Sequence, residues 1–316
     1  MKRNLFFVLT LFLILIVTTV SYAAYPEKPI KVIVAFSPGG GTDTAARTVF
    51  KFAEKYSPVP FVIINKPGAA GEIGFTFLAK SKPDGYTIGF INPPTTLIHP
   101  ILRPNKVKYR LKDFQPIANI VNDPGTLAVR SQSKFKTMKE VMDYIAKHPN
   151  KLSIAYGGPG TSEALALEQL EKLAGGTFRK IPFEGTAPAI AALLGGHVDV
   201  MISNISEIYN QVQDGKIRVL GVGSSKRISW VPDVPTYKEA GYDVIQVALR
   251  GVAAPRGITE EQIKWLEGLI KKVFNDEEFQ KKAKEMQLPL QFMGAKEYEE
   301  FLIDLDKRLR EILIKK

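Results

Sequence analysis

The chain has 316 residues, no cysteine and a formal charge of +11 at pH 7. The missing thiols exclude a disulfide framework, a thiolate metal site, a cysteine nucleophile and a lipid-modified cysteine anchor. The basic balance suits anionic ligands. Lys and Arg are nevertheless spread along the chain among Glu residues, without the clustered basic and aromatic side chains that nucleic acid requires, so no nucleic-acid partner is expected.

The N-terminus has the layout of a secretory signal. Lys2 and Arg3 give a charged start, residues 5–20 an apolar run, and Ser21-Tyr22-Ala23 the small residues that cleavage needs. The run is short for a bilayer span. A cut after Ala23 leaves 293 residues with a charge of +9, exported to a bacterial periplasm and large enough for two lobes.

Residues 30–36 form an apolar run bounded by Pro29 and Pro38, which predicts a strand buried on both faces. The turn Pro38-Gly39-Gly40-Gly41-Thr42-Asp43 follows, then a helix over 44–56 with Ala45, Ala46, Val49, Phe52 and Ala53 at helical spacing. A strand over 61–64, a helix over 72–79 and a strand over 86–91, stopped by Asn92-Pro93-Pro94, complete a strand–helix alternation that predicts a parallel sheet covered on both faces. Residues 114–121 read as a strand, punctuated by Asn122-Asp123-Pro124-Gly125 before extended structure resumes at 127–130; the chain is expected to cross to a second lobe here. Thr137 caps a helix over 137–147, with Glu140 at the capping-box position. Residues 152–156 then repeat the first unit, with the turn Gly157-Gly158-Pro159-Gly160-Thr161-Ser162-Glu163 and a helix over 164–174. Strands over 178–183, 198–202 and 217–221 alternate with helices over 188–194 and 208–214. Extended residues 244–253 lead back, and amphipathic helices over 259–274, 276–286 and 295–314 are expected to pack on the first lobe. The lobes expected are thus 24–122 with 249–316, and 123–248.

The repeated strand–glycine turn–helix unit carries the chemistry. Glycines let a ligand approach the backbone, and a helix start presents unpaired N–H groups and the positive end of its dipole. Together these make an anion site that needs no basic side chain. Two such units about 120 residues apart predict two lobes facing each other across one anionic ligand. Asp43 and Glu163 complement the dipoles of their helices, and Asp43 either holds its turn in shape or meets a ligand donor.

Enzyme chemistry finds little support. His99, His148 and His197 fall in three separate predicted turns, expected to be exposed, and no two have metal-ligand spacing. Ser37 and Ser162 stand outside any Gly-x-Ser-x-Gly elbow, no Walker lysine follows either turn, and neither turn has the dinucleotide fingerprint. No catalytic residue, metal or cofactor is expected.

At these residues the chain resembles the substrate-binding receptors of tripartite tricarboxylate transporters, the Bug-type family. Pro38 to Asp43 with Ala46-Arg47, Asn65 to Gly71 with Ile73-Gly74, Pro83-Asp84-Gly85-Tyr86-Thr87, Tyr156-Gly157 with Gly160-Thr161, Pro182 to Pro188 with Leu194-Gly195-Gly196, and Asp233-Val234-Pro235-Thr236 with Glu239-Ala240-Gly241 carry the likeness. The resemblance implies an α/β, two-lobed type II periplasmic binding protein of the Venus flytrap kind, each lobe a mixed, mainly parallel sheet flanked by helices. It implies a small mono- or dicarboxylate ligand, held by main-chain amides and ordered water at the two glycine turns, and delivery to integral membrane permease subunits. On the first lobe it points to Phe36, Ser37, Gly39, Gly40, Thr42 and Asp43; on the second, to Gly158, Gly160, Thr161 and Ser162. Asn92, Thr95 and Asn204 are candidates for rim contacts. The chain departs from the family pattern at Ala164 (His), Ser203 (Asp), Glu184 (Lys) and Arg250 (aromatic). Arg250 is expected either to pair a second ligand carboxylate bidentately or to lie at the hinge surface. A monomer is expected of a protein that opens and closes. Signalling to a sensor-kinase ectodomain, in place of delivery to a permease, is the alternative that the sequence leaves open.

Overall fold

The computed structural model describes residues 25–314, so the signal-sequence reading lies outside the described residues. Strand β1 (Ile30–Val34) runs parallel to and between β2 (Phe61–Asn65) and β3 (Thr87–Ile91). Helix α1 (Gly41–Ala53) leads from β1 to β2, and α2 (Glu72–Lys80) leads from β2 back across β1 to β3. Val32 and Ile33 are both buried on opposite faces, one packed with Phe90 and Leu266, the other with Phe75 and Tyr298. That double burial is why the strand reads as an unbroken apolar run.

The plan recurs in the second half. Strand β5 (Ser153–Tyr156) lies parallel to and between β6 (Arg179–Pro182) and β7 (Val200–Asn204), connected through α5 (Ser162–Ala174) and α6 (Thr186–Leu194). In each half, successive connections leave the central strand in opposite directions. Such a reversal opens a crevice beyond the carboxyl end of the central strand, where ligands of open α/β sheets bind. The two crevices are built from the two glycine turns.

Two long strands join the halves. Strand β4 (Phe114–Arg130) pairs with β9 (Val247–Pro255) from Phe114↔Pro255 to Pro124↔Val247, then takes β7 and β8 (Ile217–Val222) as neighbours from Gly125 onward. Strand β9 also pairs with β3, and β10 (Leu290–Gly294) pairs with β4. The expected break at 122–125 is therefore a continuous strand. Pro124 has no N–H to donate, the Gly125 N–H turns to the Gln246 carbonyl at 2.7 Å, and the strand exchanges neighbours there without stopping.

Helix α3 (Thr95–Leu102) falls where the sequence predicts only a stop. Asn92-Pro93-Pro94 does end β3, but proline's fixed φ also suits a helix start, and Pro94 is the N-cap. Helix α4 (Met138–Lys147) carries the predicted Thr137–Glu140 capping box. Helix α7 (Ile205–Gln213), like α1, α5 and α6, begins two or three residues before its predicted start. Helices α8 (Glu260–Phe274), α9 (Glu277–Glu285) and α10 (Ala295–Ile314) cover the half built on β1, through Leu266, Phe279, Tyr298 and Leu302. Among the described residues, no helix is long and apolar enough to cross a membrane.

Gly251 on β9 tests how tightly α10 holds the joining strand. A Cβ there would lie 2.5 Å from Cε1 of the fully buried Tyr298. Gly251→Ala should destabilise the protein by about 1–3 kcal/mol in urea unfolding. Unchanged stability would show that Tyr298 yields without loss.

Candidate ligand-binding cleft

The carboxyl ends of β1 and β5 face one cavity of about 100 Å³, sized for a small metabolite. Helix α1 opens on it with Gly40 as N-cap and no side-chain cap; α6 opens on it with Gly185 as N-cap and none either. Helix α5 has Thr161 as N-cap, its Oγ1 accepting from the Ala164 N–H at 3.2 Å and donating to the Gly158 carbonyl at 2.8 Å. Helix α7 starts at Asn204 and α3 at Thr95, both on the cavity wall. Five helix starts thus surround one space, each with first-turn residues on its wall: Gly41 and Thr42, Thr95, Ser162 and Glu163, Thr186 and Ala187, and Glu207.

Asp43 shapes the first turn from behind. Its carboxylate accepts from the Gly39 N–H and Arg47 Nε, each at 2.9 Å, and from Asn65 Nδ2 at 2.9 Å. Asn65 Nδ2 also donates to the Phe36 carbonyl. Burial would raise this carboxyl; Arg47, the Gly39 amide and Asn65 outweigh it and hold the carboxyl below the usual range. Asp43 is buried and off the cavity wall, as is Gly39, whose φ of +80° makes the turn.

The two halves touch across the cavity. Ser37 Oγ donates to the Glu184 carbonyl at 2.9 Å, and the Ser162 N–H donates to Thr95 Oγ1 at 3.1 Å. Asn92 Nδ2 donates to Thr42 Oγ1 at 2.9 Å, bracing the start of α1 from β3's end.

Arg250 is neither at the surface nor free. It is 1% exposed on β9, its guanidinium bonded through Nη1 to Asp123 of β4 and through Nη2 to Glu207 Oε1 of α7 at 3.2 Å. Asp123 also accepts from the N–H and hydroxyl of Ser206. Burial would lower the guanidinium's pKa; Asp123 and Glu207 overcome that and raise it. Burial likewise raises the Glu207 carboxyl, Asp123 and Glu163 add to the rise, and Arg250 opposes it.

Of the residues singled out in the sequence, Phe36, Ser37, Gly40, Thr42, Asn92, Thr95, Thr161, Ser162, Asn204 and Arg250 come together on this wall. Gly39, Asp43, Gly158 and Gly160 do not; Gly158 and Gly160 line a neighbouring hollow with His99 and Arg103. Gly41 joins the wall and is the tightest glycine there: a Cβ would meet Arg250 Nη2 at 2.5 Å and Glu207 Oε1 at 2.8 Å. Asp123, Glu207 and the start of α6 carry no distinctive local signal, although Gly185-Thr186-Ala187-Pro188 had the form of a turn entering a helix.

His99 corrects an expectation. It lies fully buried in α3, beside the Phe75 ring and against Gly160 of the other half, because the Pro93-Pro94 stop is itself a helix start. Burial, with the nearby Arg103 adding to it, pushes the imidazole down to about 4. His148 and His197 are exposed beyond helix ends, as expected.

Two lobes joined by two strands, with helix starts converging on the space between them, define a solute-binding protein of the periplasmic type. The chain belongs to the tripartite tricarboxylate transporter family receptors, whose family model matches residues 45–316. It is 30% identical over 294 residues to the UPF0065 protein in the gbd 5′ region of Cupriavidus necator, covering 92% of this chain and 88% of that one. It is 31% identical over 244 residues to protein BugT of Bordetella pertussis, covering 77% and 75%. Among solved structures, the periplasmic binding protein BugD matches with a TM-score of 0.86 at 29% identity, over 92% of this chain and 98% of that one. MatC from Rhodopseudomonas palustris with bound malate matches with a TM-score of 0.83 at 28% identity, over 91% and 99%. The family is periplasmic, and its members are solute-binding receptors, not enzymes.

His99 predicts a pH dependence. Its folded pKa lies below its unfolded value, so the unfolded chain binds a proton first as pH falls. Stability should drop between about pH 6.5 and about pH 4, by up to about 3 kcal/mol from this group, and be free of that loss above pH 7. Urea midpoints across this range should fall less steeply for His99→Gln than for the parent; parallel slopes would show that the imidazole titrates normally.

Proposed function

We propose that the protein captures a small carboxylate between its lobes in the periplasm and delivers it to the membrane permease subunits of a tripartite tricarboxylate transporter. The observation that carries this reading is the convergence of the starts of α1 and α6 on one cavity with glycine N-caps and no capping side chain. Amides left in that state suit a carboxylate, which accepts several of them at once and is favoured by both dipoles. The related MatC structure, with malate bound, agrees with that ligand chemistry.

In this reading Ser37, Gly40, Thr42, Thr161 and Ser162 hold the carboxylate, and Phe36 walls it. Asn92, Thr95, Asn204 and Arg250 line the remainder, while Gly39, Asp43, Gly158 and Gly160 shape the turns. Residues 24–122 with 249–316 form one lobe and 123–248 the other, hinged at β4 and β9. A ligand that touches both lobes binds the closed form better than the open one, and so shifts the population toward it. The chain acts as a monomer after cleavage at Ala23.

The test is a thermal-shift screen of residues 24–316 against small carboxylates and their amides. A ligand at about a hundred times its dissociation constant should stabilise the fold by about 2.7 kcal/mol, and its amide should not. Gly40→Val, whose Cβ meets only the Ser37 carbonyl at 3.4 Å, should abolish the shift while unliganded unfolding changes little. A screen silent for every acid but positive for an uncharged solute would overturn the reading.

A further inference from the structure

The cavity wall is unevenly charged. Among the described residues that line it, Glu163, Glu184 and Glu207 are acidic and Arg250 is the one base. Arg250 is already engaged by two carboxylates, Asp123 and Glu207. The buried cluster therefore holds one positive charge and two negative ones, and Glu163 adds a third acid nearby. A second carboxylate on the ligand would meet these acids, with only the Nε of Arg250 left without a partner to receive it.

The same wall offers acceptors. Glu207 uses Oε1 for Arg250 and Oε2 for the Asn204 N–H, yet a carboxylate oxygen has a further lone pair. Glu163 Oε2 accepts from the Ser162 hydroxyl at 3.2 Å and faces the cavity beside Gly157. Asn92 is the most telling. It is 6% exposed, its Nδ2 donates to Thr42 Oγ1, and its Oδ1 accepts from no protein group. A buried acceptor left unmade is unfavourable, so the site calls for a donor there. One end of the cavity thus presents helix-start amides and the other presents acceptors with surplus negative charge.

We propose that the ligand is a small amino acid, its carboxylate at the helix starts and its ammonium held by Glu163, Glu207 and Asn92. This rests on the carboxylate reading above and narrows it from mono- or dicarboxylate to a zwitterion. Burial raises the Glu207 carboxyl first and Asp123 and Glu163 add to the rise; an ammonium beside it would oppose both. Arg250 then serves to keep Glu207 in place, not to bind the ligand.

The experiment is isothermal titration of residues 24–316 with the protein amino acids and, for each binder, its des-amino and hydroxy analogues, together with succinate and malate. Alanine, propionate and lactate form one such set. An ammonium-bearing member should bind on the order of ten- to a hundredfold more tightly than its des-amino partner, as a charge-assisted contact implies. Glu163→Gln should shrink that ratio by about tenfold, and Glu207→Gln gives a second reading, with the thermal unfolding of each variant recorded to show that it folds. Dicarboxylates, hydroxy acids or des-amino acids binding as tightly as any amino acid would overturn the inference and leave the carboxylate receptor standing. A ratio unchanged in both variants would overturn it as well. Silence toward every carboxylate would overturn the receptor reading, and this inference with it.

Discussion

The first N–H groups of a helix have no partner within the helix, and this constraint organises the molecule. Several helices of this chain answer it locally: Thr137, Thr161, Thr259 and Asp276 cap their own helices through side-chain oxygens. Helices α1 and α6 do not, because glycine stands at the cap. Buried amides left so must find water or a ligand. Placing α1 at the switch point of one parallel trio, and α5 and α6 at the other, directs these groups into one space. The rest of the fold holds that arrangement. Asp43 and Asn65 fix the first turn, Thr161 fixes the second, and strands β4 and β9 carry one half relative to the other.

The joining strands hold a second constraint, the burial of charge. Arg250 and Asp123 sit on β9 and β4, with side chains 1% and 0% exposed, where isolated charges would be very unfavourable. They are tolerated because they pair with each other, with Glu207 and with Ser206 on α7. The network fastens the start of α7 to both joining strands, and with it the cavity wall on that side. It also settles what Arg250 is available for. A guanidinium with two carboxylates is not a vacant anion receptor, whatever its position beside a ligand cavity suggests.

Much of this was legible in the sequence where local chemistry decides local structure. The two glycine turns, the parallel strands before them and the Thr137 cap each announce themselves in a few residues. Helix starts were read late at α1, α5, α6 and α7, always in the same direction, because apolar periodicity begins only where a helix meets the core. The first turns of these helices reach the cavity wall through Thr42, Glu163, Thr186 and Glu207, polar residues that add nothing to an apolar periodicity. The stretch hardest to read by periodicity is thus the one that lines the cavity. Helix α3 was hidden by two prolines that end a strand and start a helix at once. His99 was misplaced with it, since its burial depends on Phe75 and on Gly160 of the other half. The Arg250–Asp123–Glu207 cluster joins residues 84 and 127 positions apart in sequence order, and nothing local to any of the three announces it.

The contacts across the cleft bear on what a ligand would add to its closure. Ser37 to Glu184 and Ser162 to Thr95 are neutral hydrogen bonds, each worth about 1 kcal/mol net because water would replace it on opening. His99 packs against Gly160 across the cleft, a contact that protonation of the buried imidazole would weaken. Contacts of this size would leave an open and a closed form within a few kcal/mol of each other. A carboxylate that satisfies amides on both lobes contributes charge-assisted bonds roughly twice as strong as these neutral ones. On the proposed reading, the free energy that closes the cleft comes mainly from the ligand, and the closed surface then reports to a partner that the site is filled.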